Sequence, residues 1–138
     1  MLTQELKEQI QSLYRECLKA MSLRPRYGQR HMIAAIARSL GEIHEGDDGN
    51  RDNQAGIAVV EAGTGTGKTL AYLLAALPVA LAKERKLLIS TATVALQEQI
   101  LNKDLPALKE HLSVPFSFAL AKGRGRYLCL LKLDKSLQ

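Results

Sequence analysis

The run Glu61-Ala62-Gly63-Thr64-Gly65-Thr66-Gly67-Lys68-Thr69 constrains this chain more than any other segment. It fits the phosphate-loop pattern G-x-x-x-x-G-K-[ST] in the relaxed form that allows alanine, here Ala62, at the first position. Glycines at 63, 65 and 67 let the backbone turn sharply and bring its N–H groups against phosphate oxygens. Lys68 carries a full positive charge to the β- and γ-phosphates, and the Thr69 hydroxyl suits Mg²⁺, which prefers oxygen ligands. Such a loop needs a strand before it and a helix after it, with the helix N-terminus aimed at the anion. The plainer alternative is a glycine-rich turn between a strand and a helix that binds nothing.

The flanks predict that arrangement. Ile57-Ala58-Val59-Val60 is a continuous apolar run of strand length, suited to a parallel sheet covered on both faces. A helix follows with Leu70, Leu73, Leu74 and Leu77 on its apolar side, and Pro78 is expected to kink or end it. Lys86–Ser90 reads as a second strand and Phe116–Leu120 as a third. Strand, helix and strand in this order make a right-handed βαβ unit. The expected class is therefore α/β: a parallel sheet flanked by helices and carrying a phosphate loop, with an N-terminal helical segment.

That segment shows helical spacing twice. Leu6, Ile10, Leu13, Tyr14, Cys17, Leu18 and Met21 form one apolar stripe, and Met32, Ile33, Ile36, Ala37 and Leu40 form another. Arg24-Pro25-Arg26-Tyr27-Gly28-Gln29 separates them. His44–Gly56 is polar and rich in Gly, Asp and Asn, and is expected to be a mobile loop. Beyond the loop, Thr91-Ala92-Thr93 leads into a third core helix through Leu96, Ile100 and Leu101. Gly123 and Gly125 precede a short helical stretch, Leu128–Leu137, that ends without a capping signal, as a fragment would. The expected divisions are residues 1–56 (helices and loop), 57–121 (motor part) and 122–138 (start of a further insertion).

The 138 residues suit one domain and carry a net charge of +5. Between Lys122 and Gln138 stand Lys122, Arg124, Arg126, Lys132 and Lys135 against Asp134 alone, so the cationic end suits a polyanion. Two cysteines, Cys17 and Cys129, make no disulfide framework. Cys17 lies in an apolar stripe and reads as a small core hydrophobe. The N-terminus has no signal pattern, and Leu70–Ala82 is too short to span a membrane. A cytoplasmic, monomeric protein is expected.

Taken together, the blocks resemble helicases of superfamily 2, of the DinG/XPD type. The phosphate loop is similar to that family's motif I, Arg24–Gln29 to its upstream glutamine element, Ser90–Gln99 to its motif Ia, and Gly123–Cys129 to the start of its iron–sulfur domain. The resemblance covers nearly the whole chain, the loop His44–Gln54 excepted. It implies an ATP-dependent DNA helicase, unwinding 5′ to 3′ on single-stranded or forked DNA in repair, of which this chain is the N-terminal ATP-binding part. It implies that Gln29 contacts the ATP base together with the phosphate cradle Ala62, Gly63, Thr64, Gly65, Thr66, Gly67, Lys68 and Thr69. Thr69 would also meet Mg²⁺. The fold the resemblance implies is a partial P-loop NTPase (RecA-like) motor domain. Thr91 and Thr93 would hold a DNA phosphate. By its own residues, the glycine-flanked strip Lys122, Arg124 and Arg126 suits a nucleic-acid backbone, and Tyr127 suits stacking on a base. Without the resemblance, Gln29 is a surface glutamine at a helix start, either threonine a helix cap, and the basic strip a solvated loop.

Cys129 matches the family's first cluster cysteine. A 4Fe-4S cluster takes four thiolates, so it is expected only in a longer chain, and Leu130 stands where many relatives have proline nearby. No DEAH-type acidic motif occurs, and Asp104 and Asp134 follow helical stretches rather than strands. Hydrolysis needs a metal held by an acidic residue and a positioned water. Lys68 and Thr69 are thus the catalytic candidates of a chain expected to bind nucleotide and hydrolyse almost none. Two alternatives stay open: a self-contained P-loop module, kinase-like included, and an inactive remnant of a truncated helicase gene.

Overall fold

A computed structural model describes residues 2–44, 46–48, 50, 52 and 56–137. Its regular elements are helices: α1 (Gln4–Ala20), α2 (Tyr27–Gly41), α3 (Lys68–Ala82), α4 (Val94–Gln99), α5 (Leu105–His111) and α6 (Leu130–Leu137). A π-helical turn at Ile100–Asp104 joins α4 to α5, and a 3₁₀ turn covers Arg124–Arg126.

Local chemistry sets the helix ends. Thr3 caps α1 by accepting a hydrogen bond from the Leu6 N–H at 3.2 Å, satisfying a donor the helix cannot. Thr93 does the same for α4 through the Leu96 N–H. Pro106, which has no N–H to give, follows directly on the π-helical turn, where the Leu105 N–H donates five residues back to Ile100 O. Pro78 does not end α3, which continues to Ala82 with the proline buried inside it.

One apolar core joins α1, α2, α3 and α5. Leu6, Ile10, Leu13, Tyr14 and Cys17 of α1 meet Met32, Ile33 and Ala37 of α2, with Leu73, Leu74 and Leu77 of α3 and Leu108 of α5. Most of the two predicted N-terminal stripes is here, whereas Met21 lies past the end of α1 and is exposed. Glu16 of α1 ties down the far end of α5, accepting from the Ser113 N–H at 3.3 Å and from Ser12 Oγ at 3.1 Å. The Ser113 bonds hold its carboxyl below the ordinary carboxylate value, against the smaller opposing effect of burial.

The expected parallel sheet is absent: none of the described residues forms a strand. Residues 57–60, 86–90 and 116–120 are extended but unpaired, and no backbone hydrogen bond among the described residues links them. Each run lays one side chain on the helical core, through Val60, Ile89 and Phe116. The alternate side chains face outward, Val59 at 91% and Leu88 at 88% exposure. An apolar run is a strand only when a neighbour completes its ladder. Here the helices supply a surface to rest on and no partner backbone.

Leu96, expected in the core, is also exposed, while Ile100 is buried. Much of the loop expected to be mobile lies outside the described residues; within it Gly46 N–H donates to Asn50 C=O, and Asp48 accepts from Asn50 N–H.

Candidate nucleotide and nucleic-acid sites

The phosphate-loop residues form a compact turn at the start of α3. Gly65 and Gly67 adopt φ of 75° and 77°, a left-handed conformation that costs other residue types energy. Gly67 is the residue before α3, so the free N–H donors of a fifteen-residue helix open onto the loop.

Side-chain donors hold the loop by its carbonyl oxygens. Lys68 Nζ donates to Ala62 O at 2.7 Å and Gly63 O at 2.9 Å, and Thr66 Oγ1 donates to Gly63 O at 2.8 Å. Arg26 Nη1 donates to Gly65 O. Gln29 Nε2 donates to Gly67 O at 3.2 Å, an oxygen that also accepts from the Ala71 N–H at 3.0 Å. The carbonyls of Gly63, Gly65 and Gly67 therefore all face donors. Among the described residues no peptide bond is cis, and in a trans peptide the N–H points opposite to its C=O. The N–H groups of Thr64, Thr66 and Lys68 consequently point away from those donors. Alternate N–H groups left free of carbonyl partners in this way are those an anion-binding turn uses.

Gln29 is not the surface residue its position suggests. It is 4% exposed and pinned at both ends of its amide, with Oε1 accepting from Tyr14 OH at 3.0 Å. Tyr14 OH accepts in turn from the Arg26 N–H at 3.3 Å. A Cβ at Gly67 would collide with Gln29 Nε2. Gln29 thus braces the loop, whatever else it meets. Ala62 and Thr69 are half-buried; Gly63, Thr64, Gly65 and Lys68 are exposed. Tyr72, one turn on, is half-buried, and its phenol is pushed up mainly by burial, with the Thr69 side chain opposing.

A second set of residues gathers around α4. Thr91 Oγ1 donates to Thr93 O at 3.2 Å, and Thr93 Oγ1 is the α4 cap. One turn on, Gln97 Oε1 accepts from Arg126 Nη1 at 2.6 Å, and Gln97 Nε2 donates to Ala121 O at 3.4 Å. The Lys122 N–H donates to Tyr127 OH at 2.8 Å, folding the basic loop on itself. The structure so brings Arg126 to the helix that Thr93 caps, and leaves Lys122, Arg124 and Arg126 exposed. Tyr127 is exposed, with its hydroxyl engaged.

Arg26, Tyr14 and Gln97 were not singled out by sequence. Tyr14 hides in an apolar stripe, Arg26 is one arginine among several, and Gln97 gains meaning only when Arg126 folds against it. The Arg24–Gln29 block was the one available signal for Arg26.

The two cysteines differ. Cys17 is fully buried, with Sγ 3.4 Å from Met21 Sδ, and burial pushes its thiol up to about 11. Cys129 is exposed. Among the described residues no group of three or more His, Cys, Asp or Glu side chains stands ready for a metal. One exposed thiolate does not fit a four-iron cluster. Thr69, at the start of α3, offers a half-buried hydroxyl oxygen of the kind Mg²⁺ takes. No described helix is long and apolar enough to cross a membrane.

A glycine-rich loop opens onto the start of the apolar helix α3 and is braced by the upstream Gln29. The profile of the DEAD/DEAH box helicase family matches residues 29–127, and the chain belongs to that family. It is similar to the ATP-dependent DNA helicase DinG of Photobacterium profundum, 47% identical over 135 residues. To the protein of the same name from Escherichia coli it is 41% identical over 129 residues, and likewise to that from Salmonella choleraesuis. The matches cover 93–94% of this chain but only 16–18% of those proteins.

Proposed function

We propose that this chain is the nucleotide-binding N-terminal part of an ATP-dependent DNA helicase of the DinG type. The carrying observation is the set of side-chain donors on the carbonyls of Gly63, Gly65 and Gly67, which supports a cradle for the phosphates of ATP. Ala62 to Lys68 would wrap the phosphates, with the N–H groups of Thr64, Thr66 and Lys68 and the start of α3 as donors. The Lys68 ammonium would neutralise the β- and γ-phosphates, and Thr69 would join Mg²⁺. Gln29 would hold the loop and present its second amide proton towards the base.

Thr91 and Thr93 with Lys122, Arg124 and Arg126 would follow the backbone of single-stranded or forked DNA, a contact that carries charge and no sequence. Residues 57–121 would be the motor part and 122–138 the beginning of an iron–sulfur-type insertion. Cys129 would be the first cluster ligand in a longer chain, where 5′-to-3′ unwinding and a repair role would reside. The protein would act as a cytoplasmic monomer. Without an acidic DEAH-type motif to hold the metal and orient water, the chain would bind ATP and not turn it over.

The test is a titration with a fluorescent ATP analogue and Mg²⁺, beside Lys68→Ala. Saturable binding that the substitution abolishes supports the reading. Equal binding by both proteins contradicts the site, and steady hydrolysis that vanishes in Lys68→Ala contradicts the division between binding and turnover.

A further inference from the structure

Tyr14 is the one polar-tipped side chain in the buried stripe of α1. Its phenol ring is packed in the core and is 8% exposed, yet its hydroxyl makes two directed bonds. It accepts from the Arg26 N–H, the donor just ahead of α2, and it donates to Gln29 Oε1 in the first turn of α2. Both residues whose backbone or side chain it holds go on to touch the phosphate loop. Arg26 reaches Gly65 O and Gln29 reaches Gly67 O, the carbonyls of the two left-handed glycines.

We propose that Tyr14 is a positioning residue for nucleotide binding: through Gln29 and Arg26 it fixes which way the peptide planes after Gly65 and Gly67 face. This rests on the reading of the loop as a nucleotide phosphate site. The amide of Gln29 has a donor end and an acceptor end of nearly equal size. Gly67 O, a carbonyl, favours the donor end. The Tyr14 hydroxyl enforces the same choice from the other side, because its oxygen already accepts from the Arg26 N–H and its proton must go to an acceptor. That requirement places Oε1 on the tyrosine and Nε2 on Gly67 O. With the amide so oriented, Gly67 O is held by two donors, Gln29 Nε2 and the Ala71 N–H, and the Lys68 N–H stays turned away from them. Removing the tyrosine proton frees the amide to rotate, and an Oε1 facing Gly67 O would repel that carbonyl and leave it on the Ala71 N–H alone, so that the plane is held less firmly. The nucleotide site thus depends on a hydroxyl that lies on another helix and touches no nucleotide.

Tyr14→Phe keeps the ring and its packing and removes only the hydroxyl. Its affinity for the fluorescent ATP analogue with Mg²⁺ should fall by about fivefold, the size of one neutral hydrogen bond. Gln29→Ala should lose at least as much, since it also removes the amide that faces the base, and the double variant no more than Gln29→Ala alone, because Tyr14 acts through the same chain of bonds. Independent losses that multiply in the double variant would overturn the relay.

A second readout needs no nucleotide. In the amide spectrum of the free chain, Tyr14→Phe should shift the Lys68 and Thr66 backbone signals, with the Leu73 and Leu74 signals of the core unmoved. Unmoved loop signals overturn the proposal even where affinity drops. In the wild-type chain itself the Gln29 side-chain amide protons should exchange slowly with solvent, and rapid exchange overturns it whether or not Tyr14→Phe folds. Lys68→Ala separates the layers. Wild-type binding that survives Lys68→Ala overturns the phosphate-site reading, whereas binding lost in Lys68→Ala and intact in Tyr14→Phe overturns the relay alone.

Discussion

Lys68 folds back along its own loop, while Arg26 reaches that loop from 39 positions away in sequence. Both hold carbonyl oxygens, and the difference in origin decides what sequence could disclose. Lys68, Thr69 and the three glycines are legible because a phosphate needs those residue types at those spacings. Gln29 was legible only as part of a block, and its burial was not, because nothing local predicts that a helix-start glutamine will meet Gly67. Arg26→Ala should weaken binding of the fluorescent ATP analogue by up to about an order of magnitude, with Arg26→Lys recovering part of it, as a competition titration would read. The cysteines give a residue-scale check on packing. Cys129 should react with a thiol reagent at once and Cys17 only on unfolding. The buried Cys17 thiol stands near 11 against an ordinary 9.0. The unfolded chain therefore gives up that proton first as pH rises. The linked stability is intact below pH 9 and declines between 9 and 11, which denaturant melts at stepped pH would show, with Cys17→Ala abolishing that part of the decline.

At the level of elements, helices were read well and strands were not. A helix closes its hydrogen bonds within itself, so an amphipathic stripe such as Leu6–Leu18 is nearly sufficient evidence for one. A strand depends on a neighbour that the run itself does not encode. Ile57–Val60, Lys86–Ser90 and Phe116–Leu120 have the composition of strands and only their inward residues are used. Leu74→Ala, in the buried face of α3, should therefore cost about 2–5 kcal/mol, while Leu88→Ser should stay within about 0.5 kcal/mol. Equal losses in urea melts would show that Leu88 is covered after all. Pro78, expected to kink or end α3, does not end it: the buried setting carries the helix through a residue that would stop an exposed one.

Across the whole molecule, the helical core brings distant segments together at two places. One is the phosphate loop under the start of α2, and the other is the basic loop against α4. The net charge of +5 was plain in the sequence, but the placing of Arg126 beside Gln97 was not, since 29 residues separate them. If Lys122, Arg124 and Arg126 contact a DNA backbone, replacing each by alanine should reduce the salt slope of single-strand binding by roughly 0.7 per charge. An unchanged slope would remove this loop from the DNA surface.

The central claim is that the bracing of Gly63, Gly65 and Gly67 builds a nucleotide phosphate site. The most direct measurement is an amide-resolved NMR titration of the chain with ATP and Mg²⁺. The account predicts saturable shifts confined to Gly63–Thr69 and Gln29, lost in Lys68→Ala. Shifts centred on Lys122–Arg126 instead, or none in the loop at saturating nucleotide, would contradict it.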